Sequence, residues 1–252
     1  MNKAVYFVSD VHLHSVLSER EKQKRFYLLE FLQQVKKERA ELFIVGDLFD
    51  FWYEYRHVIP RHFFRVLRRL QEITDDGTSV HLIGGNHDYW LEDFFPAELG
   101  VEVHRQPVEI ERNGRRFLVT HGDGILKRDS GYRVLRRILR NRFVIRLFRL
   151  VHPDLAFEIA KRVSGTSRRY TLRDQDQDDS ERAEITAFGR EQWQAGFDIV
   201  IMGHYHLPTC VREDGKIFIN LGDWMRHYTY ARFDGANISL FYWDQRPVDP
   251  AP

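Results

Sequence analysis

The chain has 252 residues, 43% of them apolar and 30% charged, with a formal net charge of +1. That length supports one sizeable domain with a real interior, and the near balance of charge removes any global case for nucleic acid or another polyanion as partner. A lone cysteine, Cys210, excludes an intramolecular disulfide and fits a reducing compartment; it is expected on a buried strand with no catalytic role.

The N-terminal run MNKAVYFVSDVH loses its apolar character at Asp10, too soon for a signal peptide and without a small-residue cleavage site. No stretch approaches the roughly 20 apolar residues of a membrane span, so a cytoplasmic protein is expected. Short Val/Ile/Phe-rich runs predict strands at Ala4–Ser9, Leu42–Val45, Ser79–Ile83 and Phe117–Thr120. Helical periodicity predicts Glu21–Lys37 and Arg61–Thr74 between them.

The segment from about 125 to 170 breaks this alternation, with 13 Lys and Arg against three acids. On a helical projection of Tyr132–Leu150, Val134, Leu135, Ile138 and Leu139 share one face. Beyond Asn141 the apolar face moves to the opposite side, to Phe143, Val144, Leu147, Phe148 and Leu150. One straight helix cannot bury both, so two short amphipathic helices with a break near Asn141 are expected, then a third over Asp154–Val163. Two readings stand. The helices pack on the core with their arginines in solvent, or they form a lid whose apolar faces hold acyl chains while its cations meet phosphate or an anionic membrane surface. The apolar content favours lipid over nucleic acid.

The acidic run Asp174–Asp179 reads as a solvated loop, followed by a helix at roughly Ser180–Ala195 and a strand at Asp198–Met202. Thr209–Arg212, Lys216–Asn220, His227–Phe233 and Asn237–Trp243 read as hairpin strands joined by turns such as Glu213-Asp214-Gly215. The expected architecture is α/β (α+β). It is a two-sheet β-sandwich flanked by helices over residues 1–245, with a helical lid insertion and a frayed tail at 246–252.

Five predicted strands each release metal-competent side chains just past their C-terminal ends: Asp10 and His12, Asp47, Asn86 and His87, His121, and His204 and His206. In open α/β sheets that edge is where ligands bind. Carboxylates, an amide and imidazoles without thiolate suit Mn²⁺, Fe or Zn²⁺. Seven ligands from this set exceed the needs of one catalytic ion and suit two, with Asp47 as the bridge because it enters alone from a central strand. Such a pair clamps an in-line displacement at phosphorus.

In this order, D-x-H, G-D, G-N-H-D, H-G and G-H-x-H resemble the motifs of the calcineurin-like metallophosphoesterases, over about residues 4–225. The resemblance implies two divalent ions, Mn²⁺ first and Fe or Zn²⁺ as alternatives. One would be held by Asp10, His12 and His206, the other by Asn86, His121 and His204, with Asp47 shared. It also implies His87 above the attacked phosphate, oriented by Asp88. "HGDGILKRDSGY" and "INLGDW" are similar to the UDP-2,3-diacylglucosamine diphosphatases of bacterial lipid A synthesis, which yield UMP and a diacylglucosamine 1-phosphate. The best-known branch of that group has Arg where this chain has His87. That resemblance implies Asn86, Asp129, Tyr132, Ser167, Arg168 and Arg169 as substrate contacts, and a place on the cytoplasmic face of the inner membrane. No protein partner is indicated. Two other functions are open: a phosphoesterase for a nucleotide, nucleic acid or phosphoprotein, and a non-catalytic membrane or partner-binding module. Trp52, Tyr53, Trp90 and Phe94 are candidates for the cleft wall or the core.

Overall fold

The computed structural model describes residues 3–126, 129–159, 162 and 175–248. Two sheets stack face to face. The first has six strands in the order β11-β10-β1-β2-β3-β4, where β1 is Val5–Val8, β2 Glu41–Val45, β3 Val80–Ile83, β4 Glu102–His104, β10 Thr229–Phe233 and β11 Ile238–Tyr242. The second has the order β5-β6-β7-β9-β8, with β5 Val108–Arg112, β6 Arg115–Thr120, β7 Ile199–Met202, β8 Thr209–Glu213 and β9 Lys216–Asn220. β1 to β4 run parallel, as do β6, β7 and β9, while β10 and β11 in the first sheet and β5 and β8 in the second pair antiparallel.

Alternation along β1 explains the layering. Tyr6 and Val8 join an apolar layer under the helices α1 (Glu19–Glu38), α2 (Phe64–Asp75) and α3 (Phe94–Leu99), while Val5 and Phe7 join the layer between the sheets. Parallel central strands are covered on both faces, so they read as continuous apolar runs. A third layer, including Ile185, Trp193, Phe197 and Phe218, packs helix α6 (Gln175–Gln194) on the second sheet.

The structure departs from the sequence reading in several places. α6 begins at Gln175, where a loop was expected. β10 starts at Thr229, two residues late, because the Asp223 carboxylate gathers the N–H groups of Met225, Arg226 and His227 into a turn. β4, β5 and α3 went unpredicted. In the tail, Tyr242 N–H donates to the Arg246 carbonyl and Val248 N–H to that of Leu240, so residues 246–248 lie along β11. Cys210 is buried on β8, and Trp52 and Tyr53 are core residues.

The break in the insertion falls where expected. α4 covers Ser130–Leu139 and α5 Arg142–Phe148, and the Asn141 side chain caps α5 by accepting from Phe143 N–H at 2.8 Å. Residues 153–159 are helical. Three aromatics of the main body hold the insertion by its backbone: Trp90 Nε1–H donates to Leu139 O, Tyr53 O–H to Ile145 O and Tyr55 O–H to Val151 O.

Candidate metal centre

The loops after β1 and β2 run side by side: Asp10 N–H donates to Gly46 O at 3.1 Å and His12 N–H to Asp47 O at 2.9 Å. Asp10, His12, Asp47, His204 and His206 all hold positive φ, a conformation uncommon for residues with a Cβ. Strain of this kind gathers where side-chain aim matters more than backbone ease. Glycines before two of the ligand positions make room: a Cβ on Gly85 would fall against the Asp47 carboxylate, and one on Gly46, at φ +84°, against the His121 ring.

Both buried carboxylates are divided in the same way. Asp10 Oδ2 accepts from His204 N–H at 2.8 Å, while Oδ1 has no hydrogen-bond donor among the described residues and lies 3.2 Å from His206 Nε2 and 3.7 Å from His12 Nε2. Asp47 Oδ1 accepts from His87 N–H at 2.9 Å, while Oδ2 sits 3.6 Å from His12 Nε2 and 3.5 Å from His121 Nε2. Backbone N–H groups therefore fix one oxygen of each and leave the other facing imidazole nitrogens. His12 Nε2 and His206 Nε2 face each other at 3.3 Å, and His121 Nε2 meets Asn86 Oδ1 at 3.1 Å. The Val45 carbonyl, 3.0 Å from His121 Nδ1, directs Nε2 of that ring into the site.

The ligand atoms of Asp10, His12 and His206 lie within 4.8 Å of one another, as do those of Asp47, His121 and His204. Asn86, at the margin of the second set, completes it. An unpartnered buried carboxylate oxygen beside converging imidazoles is a donor set for a cation, so the residues fit two divalent ions. Burial pushes His12 down to about 4 and, with the His121 charge beside it, His204 down to about 3, which keeps both rings neutral and ligand-ready. Burial also disfavours charge on His121, but Asp47 and its hydrogen bond outweigh that and raise it to about 10. Despite burial, the neighbouring histidines hold Asp10 and Asp47 far below the ordinary carboxylate range.

His87 has its ring edge-on to His12, with centroids 4.7 Å apart, and its Nδ1 is 2.9 Å from the Asp50 carbonyl. Asp88 does not take the role the resemblance implied. Its carboxylate accepts from the N–H groups of Gly85 at 2.9 Å, Asp47 at 3.2 Å and Phe49 at 3.3 Å. It thus ties the Asn86 loop to the Asp47 loop, and Asp50 orients His87. Burial and the nearby Asp47 charge raise Asp88 to about 6.

Of the expected substrate contacts, Tyr132 lies over the site, its ring 6.0 Å from that of His204 and its O–H donating to Asp123 at 2.9 Å. Asp129 accepts from Tyr205 O–H at 3.3 Å, on the support of the insertion. Ser167, Arg168 and Arg169 lie outside the described residues. Sequence reasoning missed Asp50 and Asp123. Asp123 receives Arg136 at 3.2 Å and Arg140 at 2.9 Å and so ties α4 to the His121 loop. Their place in "GDLFD" and "HGD", three and two residues beyond proposed ligands, was the available signal.

The family model described as calcineurin-like phosphoesterase matches residues 3–208. A UDP-2,3-diacylglucosamine hydrolase from Porphyromonas gingivalis is 33% identical over 256 residues, spanning 95% of this chain and 97% of that one. Another of that name from Neisseria meningitidis is 29% identical over 240 residues, with 92% and 95% covered. Among solved structures, a phosphoesterase from E. coli superposes with a TM-score of 0.49 at 17% identity, over 98% of this chain and 97% of that one.

Proposed function

This chain belongs to the calcineurin-like phosphoesterase family and is a hydrolase, and from that premise we propose that its substrate is UDP-2,3-diacylglucosamine, cleaved at the pyrophosphate to UMP and 2,3-diacylglucosamine 1-phosphate. Relatives bearing that name match nearly the whole chain, insertion included. The observation that carries the reading to a lipid is the outward face of the insertion. Val134, Leu135, Ile138, Phe143, Leu147 and Leu150 are exposed, while Arg136, Arg140 and Arg149 turn inward to Asp123 and Glu92. An amphipathic element that shows water its apolar side has that side reserved for something else.

Asp10, His12 and His206 would hold one divalent ion, and Asn86, His121 and His204 the other, with Asp47 between them; Mn²⁺ is the first choice. When bound, the pair supplies neutralisation of phosphate charge and an activated water. His87 gives its Nδ1–H to the Asp50 carbonyl and keeps Nε2 for an oxygen of the attacked phosphate, to which it donates as the imidazolium while charge builds up. Asp88 keeps the Asn86 and Asp47 loops in register through three backbone N–H groups. Tyr132 and Asp129 serve at the insertion side of the site, and Arg168 and Arg169 at the diphosphate.

Among the described residues no helix is long and apolar enough to cross a membrane. The proposed association is peripheral, on the cytoplasmic face: exposed leucines and phenylalanine enter the interface while the exposed Arg137, Arg142 and Arg146 meet anionic headgroups. The deciding experiment compares Mn²⁺-loaded enzyme on UDP-2,3-diacylglucosamine, dinucleotides and simple phosphodiesters. A preference of at least a hundredfold in kcat/KM for the diacylated sugar nucleotide is expected. Equal rates on the small esters would instead assign a different phosphoester substrate.

A further inference from the structure

A second cluster of metal-competent side chains lies along β3 and β4, which run parallel. β3 and β4 pair His81 with Glu102 and Ile83 with His104, so His81, Glu102 and His104 project from the same face. That face looks toward the second sheet, at the margin of the layer containing Phe43 and Ile83. His81 Nδ1 lies 3.1 Å from His104 Nε2 and 3.3 Å from Glu102 Oε2, and His104 Nε2 is 3.5 Å from Glu102 Oε1. All three residues can place a ligand atom within 4.8 Å of the others.

These separations have a physical meaning. Four bonds of roughly 2.0–2.1 Å directed tetrahedrally put neighbouring ligand atoms about 3.3 Å apart, and the separations found here, 3.1 Å between the imidazole nitrogens and 3.3 and 3.5 Å from them to the two oxygens of Glu102, are of that size. The surroundings support a ligand role for His81. Its other nitrogen, Nε2, lies 3.2 Å from Glu41 Oε1, and Glu41 is in turn held by both Nε and Nη2 of Arg112 on the facing sheet. A carboxylate on one imidazole nitrogen favours the tautomer that frees the other for a metal. The His81 ring also stacks on Phe43, with centroids 4.3 Å apart and planes 13° from parallel, which sets the direction of Nδ1. His81 and His104 are half-buried and rigidly placed, whereas the Glu102 side chain is 64% exposed, so a fourth position opens to water.

We propose that His81 Nδ1, His104 Nε2 and a Glu102 carboxylate oxygen form a third divalent-cation site, separate from the metal centre and suited to Zn²⁺. Two imidazoles and one carboxylate form a borderline donor set that favours Zn²⁺ over Mg²⁺ or Ca²⁺. Its place in the fold gives the ion a task. The carbonyl of His104 accepts from Gly84 N–H at 2.9 Å, and Gly84 begins the loop that carries Asn86 and His87. An ion here clamps the edge strand β4 to β3 at the root of that loop. The site does not depend on which phosphoester the enzyme cleaves.

The test is a metal count. The full chain, stripped with chelator, is loaded with Zn²⁺, dialysed, and its zinc measured per chain. Three ions are expected for the unaltered protein and two for His104→Gln. Glu102→Gln, altered on an exposed side chain that folding does not need, is expected to weaken retention of the third ion at least tenfold in chelator competition. Two ions in the unaltered protein would overturn the proposal and leave the histidines as a plain hydrogen-bonded pair. Three firmly held ions in both variants would overturn it as well, by placing the extra ion elsewhere.

Discussion

Oδ2 of Asp47 lies 3.5 Å from Nε2 of His121, and the same oxygen is 3.6 Å from Nε2 of His12. The other carboxylate oxygen is occupied by His87 N–H, so a single atom stands between the two imidazole sets. That position makes Asp47 the residue whose loss affects both ions. Asp47→Ala is expected to reduce bound Mn²⁺ at the centre from two ions to at most one by elemental analysis, and to abolish turnover. Full stoichiometry in the variant would remove the bridging role.

The same pair predicts a pH dependence. Without an ion, Asp47 holds a proton on His121 up to about 10 against the cost of burial, and an incoming cation must displace it. Affinity for the divalent ion is therefore expected to rise with pH between 6 and 8, because His121 releases its proton on binding. Calorimetry in buffers of different ionisation enthalpy measures this directly. At least one proton should leave per loaded centre, and an affinity independent of pH would mean that the His121 ring is already neutral.

His87 tests the chemistry apart from metal binding. Its ring is held by the Asp50 carbonyl and lies edge-on to His12. His87→Ala is expected to lower kcat by about 10²–10⁴, the usual contribution of an acid–base group, while the metal content holds. Asp50→Ala should leave the carbonyl, and so the ring's partner, in place. An active His87→Ala enzyme would exclude the ring from the reaction.

The central strands and the ligand order were legible because both depend on local signals: unbroken apolar runs, and polar residues at their C-terminal ends. The edge strands β4 and β5 were not. β5 alternates Val108 and Ile110 with Glu109 and Glu111, and β4 has three residues, so neither presents a run. The turn that delays β10 depends on one side chain, Asp223, gathering three N–H groups. In the site, the ligands followed from spacing, whereas the partners did not. That Asp50 and not Asp88 faces His87 is a matter of which backbone groups the folded loops bring near, and nothing in "GNHD" encodes it. The inward turn of Arg136 and Arg140 depends likewise on Asp123, which is remote from the helix they occupy.

Helix α6 contains a glycine that propensity alone would replace. Gly189→Ala in an open helix gains up to about 1 kcal/mol, but here a Cβ would sit 2.6 Å from the Phe218 ring, itself fully buried. Overpacking of this kind costs about 1–3 kcal/mol. The variant is expected to unfold at lower urea concentration than the wild type with an unchanged slope. A gain in stability would mean that Phe218 can yield.

The insertion offers a separation of fold from substrate choice. Leu135, Phe143 and Leu147 are 48%, 78% and 68% exposed, so they contribute little to stability, and the triple change to serine should leave the melting temperature nearly unchanged. If their faces receive acyl chains, each contributes apolar contact only when the lipid is bound, on the order of 1 kcal/mol or more per side chain. Loss of even about 1.4 kcal/mol is tenfold in kcat/KM. UDP-2,3-diacylglucosamine hydrolysis in the triple variant is therefore expected to fall tenfold or more, through KM first. Hydrolysis of a small diester, which reaches the metal centre without touching these helices, should be unaffected, and so should metal content. Equal losses on both substrates would show that the insertion shapes the centre itself; no loss on either would remove it from substrate recognition.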